Sequence, residues 1–204
     1  VAITRQSGLT RPHLKQAQLT RRALLLGFAV AGCSRILVQD LPTQDVTPPP
    51  LVAPYVLKVV IFELGNQGLP FHTGMIVHTP QTRLIFDPLG KWNSEECPRE
   101  GTLFRDPSPE SEAHYLRRSG MVTQNLSGAV HIFEIAVTRD VAAQAIALAE
   151  VSNPGLPLHC AKEVSSILAE LPGFAFVDPN VVTADLYRTL RDRPEFSYTR
   201  RAIN

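Results

Sequence analysis

Runs of β-branched and apolar residues alternate along this chain with segments that carry helix-capping signals. Tyr55–Glu63 (YVLKVVIFE) is bounded by Pro54 and by Gly65-Asn66-Gln67-Gly68, and predicts a strand. His72–Thr79 (HTGMIVHT) and Arg83–Asp87 (RLIFD) flank Pro80-Gln81 and predict a hairpin. Gly128–Val137 (GAVHIFEIAV) predicts a further strand and Ser197–Ala202 a last one. Pro109–Arg118 carries helix signals, with Ser108 as N-cap, Pro109 at the first position and Gly120 just past the end. Asp140–Val151 is an Ala-rich helix capped by Thr138 or Asp140. Cys160–Leu171 is a helix stopped by Pro172-Gly173, and Val182–Leu190 is another. Residues 91–108 are polar and read as a loop. There is no internal repeat. The pattern predicts an α+β domain over 55–204, an antiparallel sheet with helices packed on one side.

A different pattern precedes the domain. Thr20-Arg21-Arg22 lead into nine apolar residues, Ala23–Ala31, followed by Gly32-Cys33. A short cationic head, a short apolar run and small residues before a cleavage point describe a secretory signal over residues 1–32. Val30-Ala31-Gly32-Cys33 resembles the bacterial lipobox. That resemblance implies diacylation of Cys33 and cleavage that leaves it as the new N-terminus; a buried helix with a chance cysteine is the alternative. Thr20-Arg21-Arg22-Ala23-Leu24-Leu25 also looks like a twin-arginine export motif, although two arginines serve an ordinary Sec-type head equally well. Ser34 stands where an Asp would mark inner-membrane retention, so the expected location is the outer membrane, facing the periplasm. Val1 suggests a GTG start, with a start further along the chain as the alternative. Each buried methylene contributes about 0.8 kcal/mol, so several palmitate-type chains on one Cys hold a protein firmly to a bilayer. Residues 42–54 then contain five prolines (Pro42, Pro48, Pro49, Pro50 and Pro54). With the residues after Cys33 they form an extended, semi-rigid tether over 33–54.

Composition narrows the class. At 204 residues and 44% hydrophobic content, the chain suffices for one globular domain with a real core and is short for two. It is neither collagenous, coiled-coil nor wholly disordered, and its longest apolar run is too short to span a membrane. The formal charge of +1 hides a split. Residues 1–32 hold five basic residues and no acidic one, which leaves the remainder at a formal −4. No basic stripe remains there for nucleic acid. Three cysteines are too few for a disulfide scaffold. No His/Cys spacing fits zinc, and no Gly-rich loop follows a strand into a helix, so neither metal nor other cofactor is implied.

Two places carry candidate chemistry. If Cys160 opens its helix, Val164, Ile167, Leu168 and Leu171 share its inward face. A thiol in a first helical turn feels the positive end of the dipole and free N–H groups, which lower its pKa and are able to serve an oxyanion. A small buried hydrophobe is the other reading of the same Cys. In the hairpin, a turn at Pro80-Gln81 sets His78 opposite Arg83 and Gly74 opposite Asp87. His72 shares a face with Gly74, so Asp87 lies diagonal to it. A carboxylate there holds one imidazole nitrogen and leaves the other to take a thiol proton. A surface His and a turn-forming Asp before Pro88 are the plain alternative. His78 is expected to be solvated near the turn, His131 to be a satisfied core histidine, and Trp92 to cover core. His159 is a weaker partner for Cys160, because consecutive helical residues do not face each other. In an oxidising periplasm a Cys97–Cys160 disulfide is a rival, worth about 2–4 kcal/mol, which would leave no nucleophile.

Together, Phe71-His72-Thr73-Gly74-Met75-Ile76-Val77, Ile85-Phe86-Asp87-Pro88-Leu89-Gly90 and Cys160-Ala161-Lys162-Glu163-Val164 resemble the circularly permuted papain-like proteins. These are relatives of NlpC-type peptidases and of lecithin:retinol acyltransferase. The resemblance spans about residues 55–171. It implies a permuted papain-like fold with Cys160 as nucleophile, His72 as base and Asp87 as orienting residue. The chain departs from the pattern at His159, where Asn is common, at Asp87, where His or Glu is frequent, and in a long insertion over 91–127. The function implied is an envelope-anchored cysteine hydrolase or acyltransferase acting on an amide or ester, with a cell-wall peptide of peptidoglycan favoured over a lipid acyl group. The alternative is a catalytically inactive lipoprotein that binds a partner protein or peptidoglycan, or a structural subunit of a membrane-associated assembly.

Overall fold

The computed structural model describes residues 54–64, 68–88, 90, 92–118, 128–152 and 159–203. The expected signal segment over 1–32, Cys33 and all of the expected tether except Pro54 lie outside them. Six strands, β1 (Val56–Leu64), β2 (Leu69–His78), β3 (Arg83–Phe86), β4 (Leu103–Arg105), β5 (Gly128–Ala136) and β6 (Ser197–Ile203), form one sheet in the order β4-β3-β2-β1-β5-β6. Every pairing is antiparallel. Four helices accompany it: α1 (Pro109–Arg118), α2 (Arg139–Val151), α3 (Cys160–Glu170) and α4 (Thr183–Arg191). The class is α+β, as the sequence pattern predicts. No helix among the described residues is long and apolar enough to cross a membrane.

The near-continuous apolar run of β1 follows from its place. It is central in the sheet, and Leu57, Val59, Val60, Ile61 and Phe62 are all fully buried on its two faces. One face gathers Val60, Phe62, Ile76, Ile85, Phe104, Val130 and Ile132 under Tyr115 and Leu116 of α1, with Trp92 and Cys97 from the segment before β4. The other face lies under the remaining helices. There Tyr187 of α4 packs edge-on against His131 and Phe133, while α2, α3 and α4 all contact β2. The expectation of helices on one side is therefore corrected. Three helices share a face, and α1 covers the opposite one, drawn there by its own apolar stripe and by ion pairs from Glu112.

Local signals explain most boundaries. Ser108 Oγ accepts from Ser111 N at 3.1 Å and starts α1, and Thr138 Oγ1 accepts from Val141 N and starts α2. The β2–β3 turn is closed by Thr79 N to Thr82 O at 2.9 Å, and His78 faces Arg83 in the register the turn dictates. Two differences stand out. Residues 91–108 are not wholly loop, since Leu103–Arg105 form β4; a three-residue edge strand is too short to show an alternation. Strand β2 also starts earlier, at Leu69. The register slips between Phe62 and Glu63, whose partners are His72 and Pro70, so Phe71 is bulged.

Candidate active site

The bulge and the unequal strand lengths build a corner. Strand β3 ends at Phe86, opposite Met75, while β2 runs on through Thr73 and His72 toward Leu69. That leaves an outer edge of β2 clear of β3, and the N-terminus of α3 sits against it. The main-chain N–H groups of Thr73 and Ala161 face Cys160 Sγ and favour its charged form. The sulfur also faces the His72 imidazole, and the two groups interact electrostatically.

His72 Nε2 lies 2.5 Å from Asp87 Oδ1. Since that nitrogen is engaged, Nδ1 is the one left for the thiol. Phe62, directly across the ladder, stacks on the imidazole at 5.7 Å between centroids and 23° between planes. Asp87 is the first residue beyond β3, diagonal to His72 as the hairpin register requires. Its carboxylate is fully buried and multiply bonded: Arg99 Nη2 donates to Oδ2 at 2.6 Å, and Tyr115 Oη donates to Oδ1 at 3.3 Å. Small residues give these groups room. A Cβ at Gly74 would stand 2.1 Å from Tyr115 Oη, and one at Gly90 would stand 1.7 Å from Asp87 Oδ2.

The electrostatics follow from the contacts. Burial disfavours the His72 imidazolium, but the hydrogen bonds to Asp87 and Cys160 and the charges behind them outweigh it and lift His72 to about 9. Burial likewise pushes the Cys160 thiol up, and the imidazole together with the Thr73 and Ala161 N–H groups pulls it below its ordinary value. Both shifts favour transfer of the thiol proton to the imidazole, beside a fixed carboxylate. Such a pair can attack a carbonyl carbon and deliver a proton to a leaving group.

The structure brings together Cys160, His72 and Asp87, which lie 88 and 15 residues apart along the chain. It does not unite the other candidates with them. Cys97 and Cys160 are both free: Cys97 Sγ donates to Arg105 O at 3.1 Å, whereas Cys160 lies against His72. The rival disulfide is absent. His159 precedes α3 and makes no side-chain cap bond. His78 is not the solvated histidine expected near the turn. It is half-buried and bonds Glu112 Oε2 at 2.7 Å, in a cluster with Lys58 and Arg83. His131 is, as expected, a satisfied core group, fully buried between Glu63 Oε1 at 2.7 Å and Tyr198 Oη at 2.8 Å. Trp92 is buried in the α1-side core and donates to His114 Nδ1 at 3.1 Å. No group of three or more His, Cys, Asp or Glu among the described residues is arranged to hold a metal.

Two contributors escape a reading of the sequence, Arg99 and Tyr115. Both act through Asp87, Arg99 from the segment between β3 and β4 and Tyr115 from α1, and neither has a motif or spacing of its own. No protein-family model, curated protein or solved structure matches this chain.

Proposed function

We propose that the chain is a cysteine hydrolase or acyltransferase of the permuted papain-like kind, acting on an amide or ester carbonyl. The observation that carries this reading is a buried Cys160 at a helix start facing an imidazole whose Nε2 is held at 2.5 Å by a buried carboxylate. Cys160 Sγ adds to the carbonyl carbon. His72 Nδ1, which holds the thiol proton, passes it to the departing nitrogen or oxygen as the carbonyl carbon–heteroatom bond breaks, leaving a thioester. Water or an acceptor alcohol then gives its proton to Nδ1 and displaces the sulfur, restoring the free enzyme. The N–H groups at the start of α3 are suited to the oxyanion.

The lipobox-like run ending at Cys33 supports an acylated anchor at the outer membrane, with the 33–54 tether holding the domain in the periplasm. That location favours a cell-wall peptide as the amide substrate. A second reading, a catalytically inactive binding lipoprotein or assembly subunit, draws on the closure of the site, where Cys160 is only 5% and His72 only 6% exposed.

The test is alkylation of the folded, reduced protein with iodoacetamide at pH 7, mapped by peptide mass spectrometry. Cys160 is expected to label, and faster than an ordinary thiol of the same exposure. His72→Gln is expected to slow that labelling. A Cys160 that stays unlabelled in the folded state, or one indifferent to His72→Gln, rejects the reading.

A further inference from the structure

The segment between β3 and β4 sends a cation to the back of the trio. Arg99 Nη2 donates to Asp87 Oδ2 at 2.6 Å, while Nη1 of the same guanidinium donates to the main-chain oxygen of Asp87 at 3.2 Å and to Gly101 O at 3.3 Å. Nε reaches Trp92 O at 3.4 Å, and Cζ lies 4.8 Å from the centre of the Phe104 ring. One planar group therefore grips both the side chain and the backbone of a single residue. That residue needs gripping. Asp87 sits where the β2–β3 ladder has ended, and its N–H is tied across to Thr102 O at 2.8 Å. With Oδ2 occupied by Arg99, Oδ1 is the atom turned toward His72.

We propose that Arg99 is a positioning residue, which fixes the side chain and main chain of Asp87 so that Oδ1 is aimed at His72 Nε2 and the imidazole is held against Cys160. The assignment rests on the thiol chemistry proposed above and adds to it a residue from outside the three motifs. Arginine suits the task through shape as well as charge. Its rigid fork spans a carboxylate and a carbonyl at once, whereas a lysine ammonium is a point charge on a flexible stem. Among the described residues, the charged and titratable groups facing the His72–Asp87 pair include Cys160 from α3, Tyr115 from α1 and Arg99 itself.

The direction of the effect is fixed. Loss of the grip frees Asp87, the imidazolium loses its fixed partner, and the thiolate beside it is less favoured. Removing the positive charge also raises the pKa of the thiol. Both push the same way for Cys160.

The experiment is the pH dependence of Cys160 alkylation by iodoacetamide in the full chain, read by peptide mass spectrometry between pH 4.5 and 9.5. It compares wild type, Arg99→Met and Arg99→Lys, with thermal unfolding followed alongside. Wild type is expected to titrate below the ordinary thiol value of about 8.5. Both variants are expected to titrate about one pH unit higher, and so to label about tenfold more slowly at the acid end. Arg99→Lys retains the charge, and carries the test if Arg99→Met does not fold. Variants that track wild type overturn the proposal. So does Arg99→Lys tracking wild type while Arg99→Met shifts, because charge alone would then suffice. An ordinary thiol titration in wild type itself is a different result: it removes the thiol chemistry and the positioning role with it.

Discussion

Gly74→Ala is a single added methyl with a calculable consequence. Gly74 lies opposite Val60 on the face of the sheet that carries His72. Its Cβ would stand 2.1 Å from Tyr115 Oη, 3.2 Å from Phe86 O and 3.3 Å from Val60 Cγ2. Non-bonded contact is comfortable only at about 3.5 Å, so the Tyr115 hydroxyl must retreat by more than 1 Å. It has nowhere easy to go. Tyr115 is fully buried, with Phe62 and Trp92 set edge-on against its ring. Overpacking of this kind costs about 1–3 kcal/mol. The retreat also pulls the hydroxyl from Asp87 Oδ1, for about 1 kcal/mol more. Gly74→Ala is therefore expected to lower stability by about 2–4 kcal/mol. Tyr115→Phe removes the offending oxygen and alone costs about 1 kcal/mol. The double variant is expected to fall little below Tyr115→Phe, with a residue of cost from Phe86 O, so the two changes couple by about 2–3 kcal/mol. Urea unfolding followed by circular dichroism measures all four corners. Strict additivity, or a Gly74→Ala protein as stable as wild type, would refute the packing argument.

Other predictions follow from the same contacts. Glu112 is buried with Lys58, His78 and Arg83 around it; burial pushes its carboxyl up, but His78 and Lys58 outweigh that and hold it at about 2 instead of 4.5. A carboxyl depressed in the folded state stabilises fully above its unfolded value, and the contribution fades as pH falls toward the folded one. Glu112→Gln is thus expected to cost about 3 kcal/mol at pH 7, with the gap to wild type closing as pH drops from 4.5 toward 2 in urea titrations; a gap independent of pH argues against the ion cluster. Cys97→Ser is expected to cost no more than about 1 kcal/mol, since a hydroxyl can still donate to Arg105 O. It should leave the rate of Cys160 alkylation unchanged, and a slowed rate in a stably folded variant would tie Cys97 to the site after all.

What was legible in the sequence was local chemistry. Pro109 after Ser108, Thr138 before an Ala-rich run and Pro172-Gly173 after Leu171 set helix ends through backbone hydrogen bonds made within a few residues, so α1, α2 and α3 are readable within a residue or two. The Pro80-Gln81 turn fixed the β2–β3 register, and with it the diagonal of His72 and Asp87. The side of the sheet each helix covers is a different matter. Helix α1 goes to the opposite face because Glu112 meets Lys58 and His78 there and Tyr115 fills the space above Gly74. Those are contacts between residues tens of positions apart, which periodicity along one segment does not encode. Strand β4 failed to show for a related reason: its three residues owe their extended form to β3 beside them.

The site divides along the same line. Cys160, His72 and Asp87 could be found because each sits in a segment whose local structure dictates where it points: a helix start, a strand, and the end of a hairpin arm. Arg99 and Tyr115 could not, because each is placed by its neighbours in space. Arg99 sits in an irregular stretch and is aimed by carbonyls of Trp92, Asp87 and Gly101 and by the Phe104 ring. Tyr115 looks like any core aromatic of an amphipathic helix, and only the glycine across from its hydroxyl betrays a polar task. A buried carboxylate supplies the general rule. Asp87 is fully buried, and a charge so placed must be met by donors on both oxygens or it destabilises the fold. Once an Asp is assigned behind a histidine at the end of a strand, one oxygen is spoken for, and the other demands a cation or several N–H groups from elsewhere. Here the demand falls on the segment that leads into β4. That part of the chain stands outside the three motifs, yet the carboxylate ties it physically to the chemistry they carry.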